Sequence, residues 1–220
     1  MNNIWIYGCS FSEPFGLYTN GGTSDGLRFF KNPEDIEQIY WGTHLASKLN
    51  MNLKSCSMPG VGWNYHNQKI DEDILKWNKD DIIIISPSYW SRITINEVKV
   101  EIGDSPELYK EVYAQLKDDF WITTEKKWAN KIKTLQFFGY NVYTWLIEKQ
   151  ITNEVVHNLI PVSDTSVDLD SFMKLNKQYW LGTTHLHLPH IEEYDWHLNP
   201  EGHEYISEQM YNFIFNKSLL

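Results

Sequence analysis

Short apolar runs alternate with longer amphipathic stretches along most of this chain. The apolar runs predict four strands, which span Asn3–Gly8, Asn52–Ser55, Asp81–Ile85 and Asn141–Ile147. The third strand contains four consecutive isoleucines, a composition typical of a parallel strand that is covered on both faces. These runs therefore predict a buried parallel sheet.

Helical periodicity fills the segments between the predicted strands. Helices are expected over Pro33–Leu49, Trp63–Trp77, most of 105–138 with a break near Thr123-Thr124, Ser171–Tyr179, and from Asn199-Pro200 onward. The last of these has a favourable N-terminal sequence, because Asn is preferred at the N-cap and Pro is tolerated at the first helical position. Strands that alternate with helices predict one α/β domain over residues 1–220, with a parallel sheet between helical layers.

Composition excludes several classes of partner and cellular location for this protein. The 220 residues carry a net charge of −10, which argues against nucleic acid as the main partner. Two cysteines do not make a disulfide framework. Neither a signal peptide nor an apolar run of transmembrane length is evident, so we expect a cytoplasmic or virion-associated protein with no membrane partner.

The first candidate catalytic residue follows the first predicted strand, in the segment Gly8-Cys9-Ser10. Gly8 allows a sharp turn, and a side chain just past a strand lies where α/β sheets bind ligands. Ser10 is therefore a candidate nucleophile, although a serine in a strand–loop turn is ordinary when it stands alone.

The partners that a nucleophilic serine needs lie at the other end of the chain. His197 precedes the final helix in a predicted loop, and Asp195 stands two residues before it. A serine hydrolase requires a base to take the serine proton and a carboxylate to orient that base. Glu193 is the other carboxylate within reach.

Taken in order, these segments resemble the sequence blocks of the SGNH hydrolases, also called the GDSL esterase/lipase family. Gly8-Cys9-Ser10 corresponds to the first block, Ser55 to Gly60 to the second, and Asp195-Trp196-His197 to the last, with one residue fewer between Asp and His. The variant looks like the small SGNH-like proteins often encoded by bacteriophages. The resemblance implies a three-layer α/β/α sandwich with a flavodoxin-like sheet.

The resemblance also implies roles for individual residues. Ser10 would be the nucleophile, His197 the general base and Asp195 its orienting carboxylate. The backbone N–H groups of Ser10 and Gly60 would form part of the oxyanion hole, which binds the negative charge that develops on the acyl oxygen. The third block departs from the family, because Ser88 stands where an asparagine amide is usual.

Three possibilities remain open for the missing oxyanion donor. The Ser88 hydroxyl replaces it, an amide from Asn64 or Asn67 replaces it, or the donor is absent and the protein is a poor enzyme. The implied function is an esterase or deacetylase that cleaves a small acyl ester through an acyl-serine intermediate. The alternative is a weak or inactive binding or structural module, such as part of a phage particle.

Histidines and tryptophans near the expected site bear on cofactor and substrate. His185, His187 and His190 join His197 in a His-rich region, but their irregular spacing is a poor zinc pattern. The resemblance implies a metal-free mechanism with no cofactor. Trp90, Trp180 and Trp196 fall in predicted loops on the active face, so a carbohydrate ester is one candidate substrate.

Other residues beside the site are expected to be structural. His203 shares a helix face with Ile206, Met210 and Phe213, which favours a partly buried packing role. Cys9 and Cys56 follow neighbouring strands and should lie near the floor of the cleft, with Cys9 a buried small side chain rather than the nucleophile.

Overall fold

A parallel sheet forms the centre of the structure, which is a computed structural model. It describes residues 1–8, 40–58, 62–86, 93–95, 98–100, 111–112, 120–144, 180–182, 194–198 and 200–218. The strands in chain order are β1 (Asn3–Gly8), β2 (Asn52–Ser55), β3 (Ile82–Ser86), β4 (Ile93–Ile95), β5 (Val98–Val100), β6 (Asn141–Thr144), β7 (Trp180–Gly182) and β8 (Tyr194–Leu198).

The helices of the described residues pack around this sheet. They are α1 (Trp41–Leu49), α2 (Trp63–Asp73), which continues as a 3₁₀ turn over Ile74–Lys76, α3 (Phe120–Phe137) and α4 (Pro200–Ser218). None of them has the length and apolar composition needed to cross a membrane.

The four central strands run in the order β2-β1-β3-β6, and all three pairings are parallel. Ile4 lies level with Leu53 on one side and with Ile82 on the other, so β1 is hydrogen-bonded along both edges. The chain crosses from one side of β1 to the other between β2 and β3. This is the flavodoxin-like order, and it places the topological switch point between β1 and β3.

Alternation along each strand divides the core into two layers. Ile4, Ile6 and Ile84 pack with α1 and α4 on one face of the sheet. Trp5 and Tyr7, with Ile83 and Ile85, pack with α2 and α3 on the other face. Because successive side chains of a strand point to opposite faces, a strand that is buried on both faces, as β1 is, needs a helical layer on each side. The predicted three-layer α/β/α sandwich is confirmed.

Close approach of α1 to the sheet depends on Gly42. A Cβ atom at this position would lie 2.8 Å from Cδ1 of Ile6 and would collide with the Tyr40 ring. The helix therefore packs directly against β1 in the layer that α4 completes.

Most predicted elements agree with the structure where it describes them. The strands agree to within a residue, except that the end of the fourth, 145–147, lies outside the described residues, as do 33–39 of the first helix and the helix expected at Ser171–Tyr179. The predicted break at Thr123-Thr124 is wrong, because α3 runs through both residues. Threonine costs a helix only tenths of a kcal/mol relative to good helix formers, which is too little to end one.

Two antiparallel hairpins are absent from the sequence prediction. β4 pairs with β5, and β7 pairs with β8. β8 includes His197, so the loop predicted at this position is wrong, and a short strand occupies it. β4, β5 and β7 have three residues each, which is too few for an alternation to be recognised in sequence.

The amino end of β3 is held by a buried carboxylate. Asp81 is fully buried and accepts hydrogen bonds from the backbone N–H of Asn3 at 2.8 Å, the Trp5 indole N–H at 2.9 Å and the backbone N–H of Asn78 at 3.2 Å. Burial raises the pKa of Asp81, but these hydrogen bonds outweigh it, and the pKa lies below its ordinary value. Asp81 thus ties β1 to the start of β3.

We expect Asp81→Ala to lower the free energy of unfolding by about 2–4 kcal/mol, because several buried donors lose a charged acceptor. Urea denaturation monitored by tryptophan fluorescence measures this change. The matched control is Asp80→Ala at the exposed neighbouring residue, which should change stability by less than about 0.5 kcal/mol. Equal effects of the two substitutions would contradict the role assigned to Asp81.

Candidate active site

The candidate site lies at the carboxyl edge of the sheet, where β1 and β3 end side by side. Gly8 is the register partner of Ser86, and Ile85 is the partner of Thr144 in β6. Ligands of open α/β sheets bind outside the carboxyl ends of the strands at the switch point. Gly8 and Ser86 flank that point here.

The second sequence block runs directly beside the first. The backbone N–H of Cys56 donates to the Ile6 carbonyl at 2.7 Å, and that of Met58 donates to the Gly8 carbonyl at 2.9 Å. The hydroxyl of Ser57 also reaches the Ile6 carbonyl, at 3.3 Å. The second block therefore runs along the end of β1 as far as Met58, which is two residues before Gly60 in the sequence.

Most of the predicted site residues lie outside the described residues. Ser10 is two positions beyond Gly8, Ser88 is two beyond Ser86, and Gly60 is two beyond Met58. Their roles stay predictions. Of the proposed triad, Asp195 and His197 lie in β8, whose backbone is described.

The β7–β8 ladder is irregular at those two residues. Trp180 is level with Leu198 and Gly182 with Tyr194, so a two-residue step on β7 opposes a four-residue step on β8. Asp195 and His197 both fall within the longer step. Bulges of this kind redirect side chains and are frequent next to active sites. The regular alternation of a strand therefore does not apply to this pair.

The first turns of α2 bring unpaired polar groups to the same end of the molecule. The helix starts at Trp63, just after Gly60 and Gly62. Within the described part of the chain, the Trp63 indole nitrogen, both ring nitrogens of His66 and the side-chain oxygen of Asn67 are buried without a hydrogen-bond partner. Asn67 is one of the two residues whose amide could complete the oxyanion hole. The buried atom is its oxygen, whereas the oxyanion would need its N–H group, so this role stays a prediction.

Burial alone sets the charge state of His66. The side chain is 2% exposed, and burial lowers its pKa to about 3. The unfolded chain binds a proton at this residue near pH 6.5, whereas the folded protein does so only near pH 3. Stability from His66 is therefore complete above pH 6.5 and is lost as the pH falls toward 3.

We expect the free energy of unfolding to fall by about 2–3 kcal/mol between pH 7 and pH 4.5 through His66, at up to about 1.4 kcal/mol per pH unit. In His66→Phe this loss should be absent, and the pH dependence should flatten by that amount. Urea titrations at both pH values measure it, with His44→Phe on α1 as control. An unchanged pH dependence in His66→Phe would contradict the assignment.

Cys56 is a protonated thiol rather than a nucleophile. It is a half-buried free cysteine, and its Sγ lies 3.6 Å from an Asp73 carboxylate oxygen. Burial, together with the charge of Asp73, raises its pKa to about 11. β2 and β1 are neighbours as predicted, and Cys9 lies outside the described residues.

His203 has the structural role that its helix face predicts. The residue is 7% exposed, and its Nδ1 accepts a hydrogen bond from the Trp41 backbone N–H at 3.3 Å. This bond satisfies one of the free N–H groups at the start of α1. His203 therefore joins α4 to α1 on one face of the sheet.

No metal centre is found in the described part of the chain, where no group of three or more His, Cys, Asp or Glu side chains could hold an ion. His185, His187 and His190 lie outside that part.

We compared the chain with known protein families, curated proteins and solved structures, and only solved structures are similar to it. No family model and no curated protein matches the chain. Among solved structures, esterase EstA from Pseudoalteromonas sp. is similar over 100% of both chains, with 13% identity and a TM-score of 0.46. A member of the lipolytic G-D-S-L family from Veillonella parvula is similar over 96% of this chain and 97% of its own, with 10% identity and a TM-score of 0.48. A family two carbohydrate esterase from Clostridium thermocellum is similar over 99% of this chain and 64% of its own, with 12% identity and a TM-score of 0.48. These values do not transfer the activity of any of these proteins to this chain.

Proposed function

We propose that this protein is an SGNH-type serine hydrolase that cleaves a small acyl ester. The observation that carries the proposal is the pairing of the first two sequence blocks at the switch point. Gly8 accepts the Met58 N–H and lies level with Ser86, so the segments leading to Ser10, Gly60 and Ser88 leave the sheet side by side. A hydrolase of this type needs its nucleophile and oxyanion donors on adjacent loops.

In the proposed reaction, the Ser10 hydroxyl attacks the acyl carbon while its proton passes to His197. The tetrahedral intermediate collapses, the bond to the alcohol breaks, and His197 returns the proton to the departing alcohol. A water molecule then attacks the acyl-Ser10 ester, with His197 again taking and returning a proton. Asp195 orients the imidazole and stabilises its charged form.

The oxyanion hole is proposed to use the backbone N–H groups of Ser10 and Gly60, with the Ser88 hydroxyl as third donor. A serine hydroxyl is shorter than an asparagine amide and rotates freely, so it is a less preorganised donor. Loss of one donor typically lowers kcat by about 100- to 1,000-fold. A modest turnover number is therefore expected.

A carbohydrate ester is the proposed substrate class. Trp180 and Trp196 lie on β7 and β8, the hairpin that also includes Asp195 and His197. Both had been expected in loops, and Trp90 lies outside the described residues. Aromatic residues next to a catalytic pair offer flat surfaces on which a sugar ring can stack.

The replacement of the third-block asparagine by Ser88 favours a second candidate, a binding module that has kept the fold and lost efficient catalysis. This candidate makes the opposite prediction in an activity assay. A binding module would retain the sheet and the site but would not turn over an ester.

We expect Ser10→Ala to lower the hydrolysis rate of p-nitrophenyl acetate by at least about 1,000-fold, and His197→Ala to be nearly as damaging, because nucleophile and base act as a unit. Steady-state kinetics at matched purity measures both. Ser12→Ala and His187→Ala are the matched controls and should keep most of the activity. Equal rates in wild type and Ser10→Ala would refute the esterase assignment.

A further inference from the structure

A cavity of about 700 Å³ opens at the amino edge of the sheet, opposite to the candidate active site. Its lining includes the residues at or just before the starts of three strands, Asn2, Ile82 and Asn141, with Leu49 of α1 and Ile214 of α4. Small-molecule pockets of proteins have volumes of about 300–1,000 Å³, so this amino-edge cavity is large enough for a ligand.

The base of the amino-edge cavity is apolar apart from one hydroxyl. Ile82 and Tyr143 lie on the sheet face that packs on α1 and α4, and Leu49, Met51 and Ile214 complete the apolar lining. Tyr143 is 7% exposed, burial raises its pKa, and no residue in the described part of the chain hydrogen-bonds its hydroxyl. A buried polar group without a partner costs about 1–3 kcal/mol, which a hydrogen bond from a ligand would recover.

The charges around the amino-edge cavity favour a cation. Asp80 is the only charged side chain among the described residues that line it, and within those residues it has no ion-pair partner. α1 ends at Leu49, and the carboxyl end of a helix carries a partial negative charge that stabilises cations. The Asn141 amide nitrogen donates to the Lys79 carbonyl at 2.9 Å, which leaves its side-chain oxygen as an acceptor. Met1 is 81% exposed, so its amino group is hydrated.

We propose that the amino-edge cavity binds a small aromatic or alicyclic amine that carries a hydroxyl at the end opposite to the ammonium group. Asp80 is exposed and Tyr143 is buried, so the ammonium group lies near the mouth and the ligand hydroxyl reaches the base. The apolar ring packs between them on Ile82, Met51 and Ile214. This inference does not depend on the proposed function, because the cavity and the candidate active site lie at opposite edges of the sheet.

Three probes that differ in one group test the preference for a cation. They are tyramine, a cation at neutral pH, tyrosol, the corresponding neutral alcohol, and 4-hydroxyphenylacetate, the corresponding anion. Isothermal titration calorimetry on the full chain measures their affinities. We expect tyramine to bind at least about 5-fold more tightly than tyrosol, and the anion to bind most weakly, because hydrogen bonds to charged groups are the stronger ones.

Asp80→Asn removes the charge at the mouth and keeps the shape of the side chain. The advantage of tyramine over tyrosol should then fall to less than about two-fold, because both ligands meet a neutral acceptor. Glu204→Gln, the same chemical change at an exposed residue of α4, is the matched control and should leave the advantage unchanged. An equal loss in the two variants would contradict the role of Asp80.

Tyr143→Phe removes the buried hydroxyl and keeps the ring. We expect the affinity for tyramine to fall by about 3- to 10-fold, the usual effect of losing one hydrogen bond. 2-Phenylethylamine, which has no hydroxyl to pair with Tyr143, should bind wild type and Tyr143→Phe with the same affinity. A loss of affinity that is equal for both amines would contradict the hydrogen bond at the base.

Methionine methyl groups report where the probe binds. Met51 lines the amino-edge cavity, whereas Met58 lies beside the carboxyl end of β1. In protein with isotope-labelled methionine methyl groups, assigned with Met51→Leu and Met58→Leu, tyramine should shift the NMR signal of Met51 and leave that of Met58 in place. A shift of Met58 alone, equal affinities for the three probes in wild type, or no binding of tyramine at millimolar concentration would overturn the proposal.

Discussion

The double pairing of β1 is the constraint on which the rest of the structure depends. This strand is hydrogen-bonded to β2 on one edge and β3 on the other, and its apolar side chains are buried on both faces. It therefore needs two helical layers, and its register brings Gly8 level with Ser86. β1 thus ends at the switch point of the sheet, where ligand sites of such folds occur.

The buried polar groups at the two ends of β3 differ in whether they have hydrogen-bond partners. At the amino end, the Asp81 carboxylate is fully buried and receives hydrogen bonds from three residues, including Asn3 and Trp5. At the carboxyl end, the Ser86 hydroxyl is equally buried and has no hydrogen-bond partner in the described residues. The satisfied end stabilises the fold, and the unsatisfied end adjoins the candidate site.

Sequence patterns predicted the centre of the sheet well because β1 and β3 each contain an apolar run that is buried on both faces. The isoleucines of β3 and the Asn-Pro start of α4 carry strong local signals. The break proposed at Thr123-Thr124 was wrong because weak local propensity does not outweigh the packing of Trp128 and Ile132 in the core.

The surroundings of the candidate site were harder to predict. The irregular register of the β7–β8 pair at Asp195 and His197 has no local signature in the sequence. The orphan hydroxyl of Ser86 also escaped notice, since a serine at the end of a strand is ordinary until its register and burial are known. His66 lies on the buried face of α2 with Trp63 and Ile70, and the local sequence does not reveal that both of its ring nitrogens lack a partner. These features depend on strand pairing and on side-chain burial, which the local sequence does not determine.

The most direct test of the central claim, a nucleophilic Ser10 at the end of β1, is the site of reaction with a fluorophosphonate. After trypsin cleavage at Arg28, Ser10 lies in the peptide that spans residues 1–28, and fragmentation distinguishes it from Ser12 and Ser24. The account predicts a single phosphonyl adduct on Ser10, formed with the native protein and abolished by prior heat denaturation. An unmodified native protein, or an adduct confined to another residue, would contradict it.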